Sequence, residues 1–295
     1  MATDTSQYLN KWVEQKASYN KRDLLLYAVG IGCEDLRYVY EYDSDFAAFP
    51  TYPVLFGFKG TDQDVISFPS PAMQEGPSNP PLEGIKAGLD GERYIEMINP
   101  LPADGAELTL KTRLIGVHKR GSGASVEMEQ LVSGSDGTLY YRLVSGAFLV
   151  GAKNFTDSGE TNSKKIDPPS RAPDTVVEMP VPSNQTHLYR LSGDYNPLHI
   201  DPNMAQMMGF KEPILHGLCS LGFSTRAVLQ AYGENDASKF KSVRVRFASP
   251  VLPGNTLQVE MWKEGTTIIF QTKVKETGKV AINNACLELS AGAKM

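Results

Sequence analysis

Cysteine is scarce in this 295-residue chain: Cys33, Cys219 and Cys286 stand far apart, with no CxxC pair among them. A scattered, odd-numbered set makes neither a disulfide framework nor a zinc site and fits a reducing compartment. Cys219 lies inside an apolar segment, where a thiol serves packing rather than nucleophilic attack. Histidine is nearly as scarce. Four residues with no HExxH or comparable ligand spacing give no expectation of a bound metal. No run approaches the roughly 18 apolar residues of a membrane span. No block of Lys or Arg stands against the net charge of −5, which argues against nucleic acid as the main partner. Local basic residues remain available for a phosphorylated ligand. The opening residues, Met1-Ala2-Thr3-Asp4-Thr5-Ser6, carry no basic stretch leading into an apolar one, so no secretory signal is expected.

What the chain does have is the composition of a globular protein, 41% hydrophobic and 21% charged, at a length sufficient for one large or two ordinary domains. Its second half opens on a helical stretch, Leu215–Tyr232, apolar on most faces and therefore destined for burial. Period-two alternation follows at Val243, Val245 and Phe247 and at Leu257, Val259 and Met261. Two more strands, Thr267–Val274 and Val280–Leu289, flank the turn Glu276-Thr277-Gly278-Lys279. The first half has the same layout. Tyr94–Ile98 precedes Asn99-Pro100-Leu101-Pro102, as Val243–Phe247 precedes Ser249-Pro250-Val251-Leu252-Pro253, and strands run through Glu107–Val117, Ser125–Ser133 and Thr138–Val150. Two copies of one helix-plus-antiparallel-sheet unit, an α+β arrangement, are expected over 1–150 and 183–295, joined by a Ser-, Lys-, Asp- and Pro-rich linker at 151–182. The copies differ in one respect. Where the second has its polar turn and long helix, the first has Pro53-Val54-Leu55-Phe56-Gly57-Phe58 and then the proline-rich, irregular Thr61–Pro81. A half without that helix leaves room for a bulky ligand.

The chemistry gathers at Tyr189-Arg190-Leu191-Ser192-Gly193-Asp194-Tyr195-Asn196-Pro197-Leu198-His199. Asp194 and His199 are close enough to hold one water and divide a proton transfer between them. Gly193 permits backbone geometry closed to other residues, Pro197 stiffens the bend, and Asp201-Pro202 starts a short helix to Met208. Taken singly, Asp194 and Asn196 read equally well as turn residues bonding their own backbone. Their company with His199 on so stiff a turn favours chemistry. His216-Gly217 follows, at the start of the long helix. The Gly217 N–H there lacks an intrahelical partner and can polarise a carbonyl oxygen as it becomes an enolate; the alternative is ordinary helix–sheet packing. His118 and His187 have no evident partners.

These stretches, with Ala205 and Pro213-Ile214-Leu215-His216-Gly217-Leu218-Cys219, resemble the hydratase 2 motif of the MaoC-like family. The chain is similar to the (R)-specific 2-enoyl-CoA hydratase unit of peroxisomal multifunctional enzyme type 2. The likeness extends to Arg246-Phe247-Ala248, Glu260–Gly265, Phe270–Val274, Gly91-Glu92-Arg93-Tyr94 and Pro100-Leu101-Pro102. It implies a double hot-dog fold, with the N-terminal repeat lacking its complete central helix and accommodating the acyl chain. By position it implies Asp194 and His199 as the acid–base pair, in an order left open, with Asn196 supporting the water and the Gly217 N–H polarising the thioester. Implied contacts to the CoA ester are Asp90, Gly91, Arg120, Tyr195, Pro197, Leu198 and Phe247. Asp90 departs from the family, which has His before that glycine; Arg120 replaces a common Lys and keeps its charge. No cofactor is expected, CoA being part of the substrate. A hot-dog thioesterase and a non-catalytic acyl-CoA-binding module are the alternatives. The end, Ala293-Lys294-Met295, resembles the tripeptide read by the peroxisomal import receptor and leads to an expected peroxisomal location. Two fused repeats already supply the pairing of a hot-dog dimer, so a monomer and a homodimer both stay open.

Overall fold

The computed structural model describes residues 2–290, so Ala293-Lys294-Met295 lies outside the described residues. The first repeat comprises β1 (Val13–Asn20), α1 (Lys21–Gly30), the single-turn helices α2 (Leu36–Val39), α3 (Phe56–Lys59) and α4 (Pro71–Gln74), then β2 (Ala87–Met97), β3 (Gly105–Arg120), β4 (Gly123–Gly134) and β5 (Leu139–Val150). A two-residue strand, β6 (Ser158–Gly159), crosses over. The second repeat follows as β7 (Thr175–Pro180), α5 (Gln185–Tyr189), α6 (Pro202–Met207), α7 (Gly217–Tyr232), β8 (Phe240–Phe247), β9 (Thr256–Glu264), β10 (Thr267–Val274) and β11 (Val280–Leu289).

The sheet runs β1-β3-β4-β5-β2-β8-β11-β10-β9-β7, the second half of the order mirroring the first. This is the internal repeat written as hydrogen bonds. The repeats join where β2 pairs antiparallel with β8, Tyr94 opposite Arg244. The Arg244 guanidinium, buried, lies 4.6 Å from the centroid of the Tyr94 ring and sets a cation–π contact at the seam. α7 is buried almost all round, from Leu218 through Leu229, and packs on β7, β8, β9 and β11. Gly222 lets it approach the first repeat: a methyl there would lie 2.3 Å from the Ile31 side chain. Cys219 is fully buried with its thiol donating to the Gly30 carbonyl, and burial pushes its pKa well up, as a packing role requires.

At the position of α7 the first repeat has only a 3-10 turn, Tyr52–Leu55, running into α3. The expected degenerate helix is therefore present as two short pieces, a 3-10 turn and one α-helical turn, against the 16 residues of α7. One correction concerns the segment 151–182. Its last part is β7, the edge strand on β9, and Ser158–Gly159 pairs with β3. β7 ends at Pro180, which an edge strand tolerates because its outer N–H groups face no partner.

Candidate active site

The chain descends from β7 through α5 into a 3-10 turn, Arg190–Ser192, and is turned by Gly193 at φ +126°. Few residues other than glycine adopt that angle. A methyl there would also press on the Lys59 side chain at 3.2 Å. Asp194 follows, buried, with one carboxylate oxygen accepting from the Asn196 N–H at 3.3 Å. Asn196 caps the next 3-10 turn, Pro197–His199, its side-chain oxygen accepting from the Leu198 N–H at 3.0 Å. Asp201 then caps α6. The turn roles and the placing of Asp194 and His199 are thus the same set of bonds: each cap stiffens the backbone that carries the next functional side chain.

His199 is buried, and its Nδ1–H donates to the Ile214 carbonyl at 2.8 Å. That bond fixes the tautomer and leaves the lone pair on Nε2. Burial lowers the His199 pKa to about 4, against the pull of the Ile214 carbonyl, so the ring is neutral at physiological pH. Burial raises the Asp194 pKa to about 6; the Asn196 N–H opposes this, the Asp90 charge adds to it, and Arg93 and Arg190 oppose it weakly. A carboxyl moved up to about 6 and an imidazole moved down to about 4 let a protonated acid and a neutral base coexist between those values.

His216 lies against this pair, fully buried, with its ring 3.8 Å from that of His199 and 30° between the planes. One ligating atom each from Asp194, His199 and His216 lies within 4.8 Å of the others. One nitrogen of each ring is already taken, His199 Nδ1 by the Ile214 carbonyl and His216 Nε2 by the Asp194 carbonyl. Next along the chain is Gly217, the first residue of α7. His216 is the N-cap residue yet makes no side-chain cap bond, and the Gly217 N–H has no hydrogen-bond acceptor among the described residues. An open donor at the positive end of a buried helix is an oxyanion site. A methyl on Gly217 would rest at 3.4 Å on the Phe247 ring, which covers this helix start.

Two cavities lie near this site, one reaching it through Phe247, which covers the start of α7; neither has Asp194, His199 or Gly217 in its lining. One, of about 320 Å³, is lined by Asp90, Gly91, Glu92, Arg120, Arg246 and Phe247, among others. The second, of about 260 Å³, occupies the region of the missing helix, with Val54, Phe58, Met73, Ile95, Leu143 and Arg93 on its walls. Asp90 and Arg93 are joined by a two-pronged ion pair at 2.9–3.1 Å, so one member belongs to each cavity. Of the expected substrate contacts, Asp90, Gly91, Arg120 and Phe247 therefore share one cleft. Pro197 and Leu198 stay in the turn. Tyr195 lies under the Arg190 guanidinium at 4.9 Å and lines a different hollow with Asp23 and Lys59. The Asp90 carboxylate is already occupied by Arg93.

Three residues that the sequence reading named without giving them a role at the site belong to its surroundings: Arg93, Arg246 and His216. Arg246 lines the larger cavity and pairs with Glu92. Three residues apart on a regular strand, Asp90 and Arg93 would point to opposite faces; a register shift between Asp90 and Glu92 puts them together.

Two family models match the chain: the MFE-2 hydratase 2 N-terminal domain over residues 17–151 and the MaoC like domain over 164–285. Peroxisomal multifunctional enzyme type 2 of Drosophila melanogaster is 43% identical over 96% of the chain, which spans 48% of that protein. The chain spans 37% of the mouse protein of that name, so it corresponds to less than half of these longer relatives. The peroxisomal enoyl-CoA hydratase 2 of Arabidopsis thaliana is 36% identical, with 96% of both chains covered. The crystal structure of a MaoC-like dehydratase from Phytophthora capsici superposes with a TM-score of 0.92 at 41% identity, over 97% of each chain. With hot-dog repeats, the Asp194–His199 turn and an open Gly217 N–H in this order, the chain belongs to the MaoC-like hydratase 2 family.

Proposed function

We propose that this chain is an (R)-specific 2-enoyl-CoA hydratase, adding water reversibly to a trans-2-enoyl-CoA to give a (3R)-3-hydroxyacyl-CoA in peroxisomal β-oxidation. The observation that carries the reading is the grouping of three things at one helix start: a neutral imidazole with a free Nε2, a carboxyl of raised pKa, and an open backbone N–H. Conjugation to the thioester makes C3 electrophilic. His199 Nε2 takes a proton from water as its oxygen bonds to C3, and Asn196 steadies that water. Negative charge collects on the thioester oxygen against the Gly217 N–H. The Asp194 carboxylic acid gives its proton to C2, and the imidazolium returns a proton to the carboxylate, so one water is consumed and the pair is restored. Both groups act from one side of the double bond.

The smaller cavity takes the acyl chain in this reading, in the space left by the missing helix, and the Arg120 cleft takes the CoA portion. The peroxisomal location is supported by the names of the relatives and by the Ala293-Lys294-Met295 tail as a receptor-read signal. A thioesterase is the second reading. It needs a carboxylate to activate hydrolytic water, and α7 carries none after His216. Incubation with a medium-chain enoyl-CoA separates the two: hydration removes the enoyl absorbance without free thiol, whereas thiol release sinks the hydratase assignment.

A further inference from the structure

His216 is a buried titratable residue to which the mechanism above gives no role. It is 0% exposed, its Nε2–H donates to the Asp194 backbone carbonyl at 3.2 Å, and its ring lies 3.8 Å from that of His199, 30° between the planes, and 4.9 Å from that of Tyr189, inclined by 52°. Its Nδ1 has no hydrogen-bond partner among the described residues. A leucine or phenylalanine would fill the same space without a buried, unpaired acceptor, so packing alone gives no reason for an imidazole here. The residue also occupies the N-cap of α7 without capping it. A serine or aspartate there would turn its oxygen onto the Leu218 or Cys219 N–H and give up the bond that His216 makes to the Asp194 backbone.

We propose that His216 is a positioning residue for hydration: one ring fixes the separation of Asp194 and His199. Through its N–H it holds the backbone of the acid, and through its face it holds the plane of the base. The role requires a neutral Nε2–H imidazole. Burial and the neighbouring His199 both disfavour charging it, Arg190 adds to this, and the bond to Asp194 opposes it. Tyr189, Arg190 and Asp194 are the other titratable or charged groups around it, and Asp90 and Arg93 act on Asp194 from β2.

The proposal rests on the hydratase reading, and two substitutions in the full chain divide the role. His216→Phe keeps a flat ring under His199 and loses the donor to Asp194. It should lower kcat by about tenfold or more, with KM for the enoyl-CoA nearly unchanged, and leave the acid limb of the pH profile in place. His216→Gln keeps an N–H and loses the stacked ring. It should lower kcat and move the acid limb up by about one pH unit as His199 regains water. Both variants folded, with kcat and pH limbs like the parent, would overturn the proposal. Nitrogen-15 NMR of the histidine-labelled parent tests it without any variant and decides the matter if neither variant folds. A neutral Nε2–H tautomer of His216 from pH 5 to pH 9 supports the role; an Nδ1–H tautomer or a charged ring refutes it. A parent that hydrates no enoyl-CoA refutes the function instead, and the NMR result still stands on its own.

Discussion

Replacing Asp194 by Asn should kill turnover and stabilise the protein, and the two effects come from the same burial. The folded carboxyl has a pKa of about 6 against 3.8 in the absence of burial. A raised carboxyl pKa leaves stability intact below the unfolded value, and stability is then lost as pH rises through the folded one. Roughly two units at about 1.36 kcal/mol each make the ionised Asp194 cost about 3 kcal/mol well above pH 6, and about half of that near pH 5. An amide oxygen can still accept from the Asn196 N–H, so the turn is kept. Urea denaturation of parent and variant at pH 5 and pH 8 measures the gap. It should be about 3 kcal/mol in the variant's favour at pH 8 and shrink toward acid, while kcat falls by roughly 10²–10⁴-fold. A variant no more stable than the parent at pH 8, or a gap that ignores pH, would refute the burial argument. Near-normal turnover would refute the role of the carboxyl.

The hydration rate should follow a bell between about pH 4, below which His199 is charged, and about pH 6, above which Asp194 loses its proton. A profile that instead rises through pH 6 would exchange the two roles. Arg120→Ala should raise KM by about tenfold with little change in kcat, since an exposed cation at the cleft binds ground state and transition state alike; an unchanged KM would move the CoA elsewhere. Prolonged chelation should leave the hydration rate intact, because the proposed steps use only the Asp194 and His199 side chains, a water and the Gly217 N–H; activity lost to chelator and restored by zinc would place a metal among Asp194, His199 and His216.

The most regular parts of the sequence were the easiest to read. α7 is legible because it is apolar all round, and the β9–β10–β11 meander because Leu257, Val259, Met261 and their partners alternate cleanly. β1 escaped because its buried face, Gln15, Ala17 and Tyr19, opens on a polar residue and carries no large aliphatic side chain. α1 had a signal that went unused: Asn20 and Asp23 form a capping box just before Leu24-Leu25-Leu26. β7 was hidden by length, with Val176 and Val177 its only apolar pair inside a polar stretch. At the site, the turn could be read because its bonds are local, spanning two residues at Asp194–Asn196 and Asn196–Leu198. Arg93 and His216 could not. One reaches Asp90 only through a bulge, and the other meets His199 only after the loop from α6 folds back to present Ile214 and His216.

The central claim is that Asp194 and His199 add one water to a single face of an enoyl thioester held at the Gly217 N–H. Chiral analysis of the product formed from a medium-chain trans-2-enoyl-CoA tests it most directly. The account predicts the 3R alcohol from the parent and none from His199→Ala. A 3S product, a racemic one, or release of free thiol would contradict it.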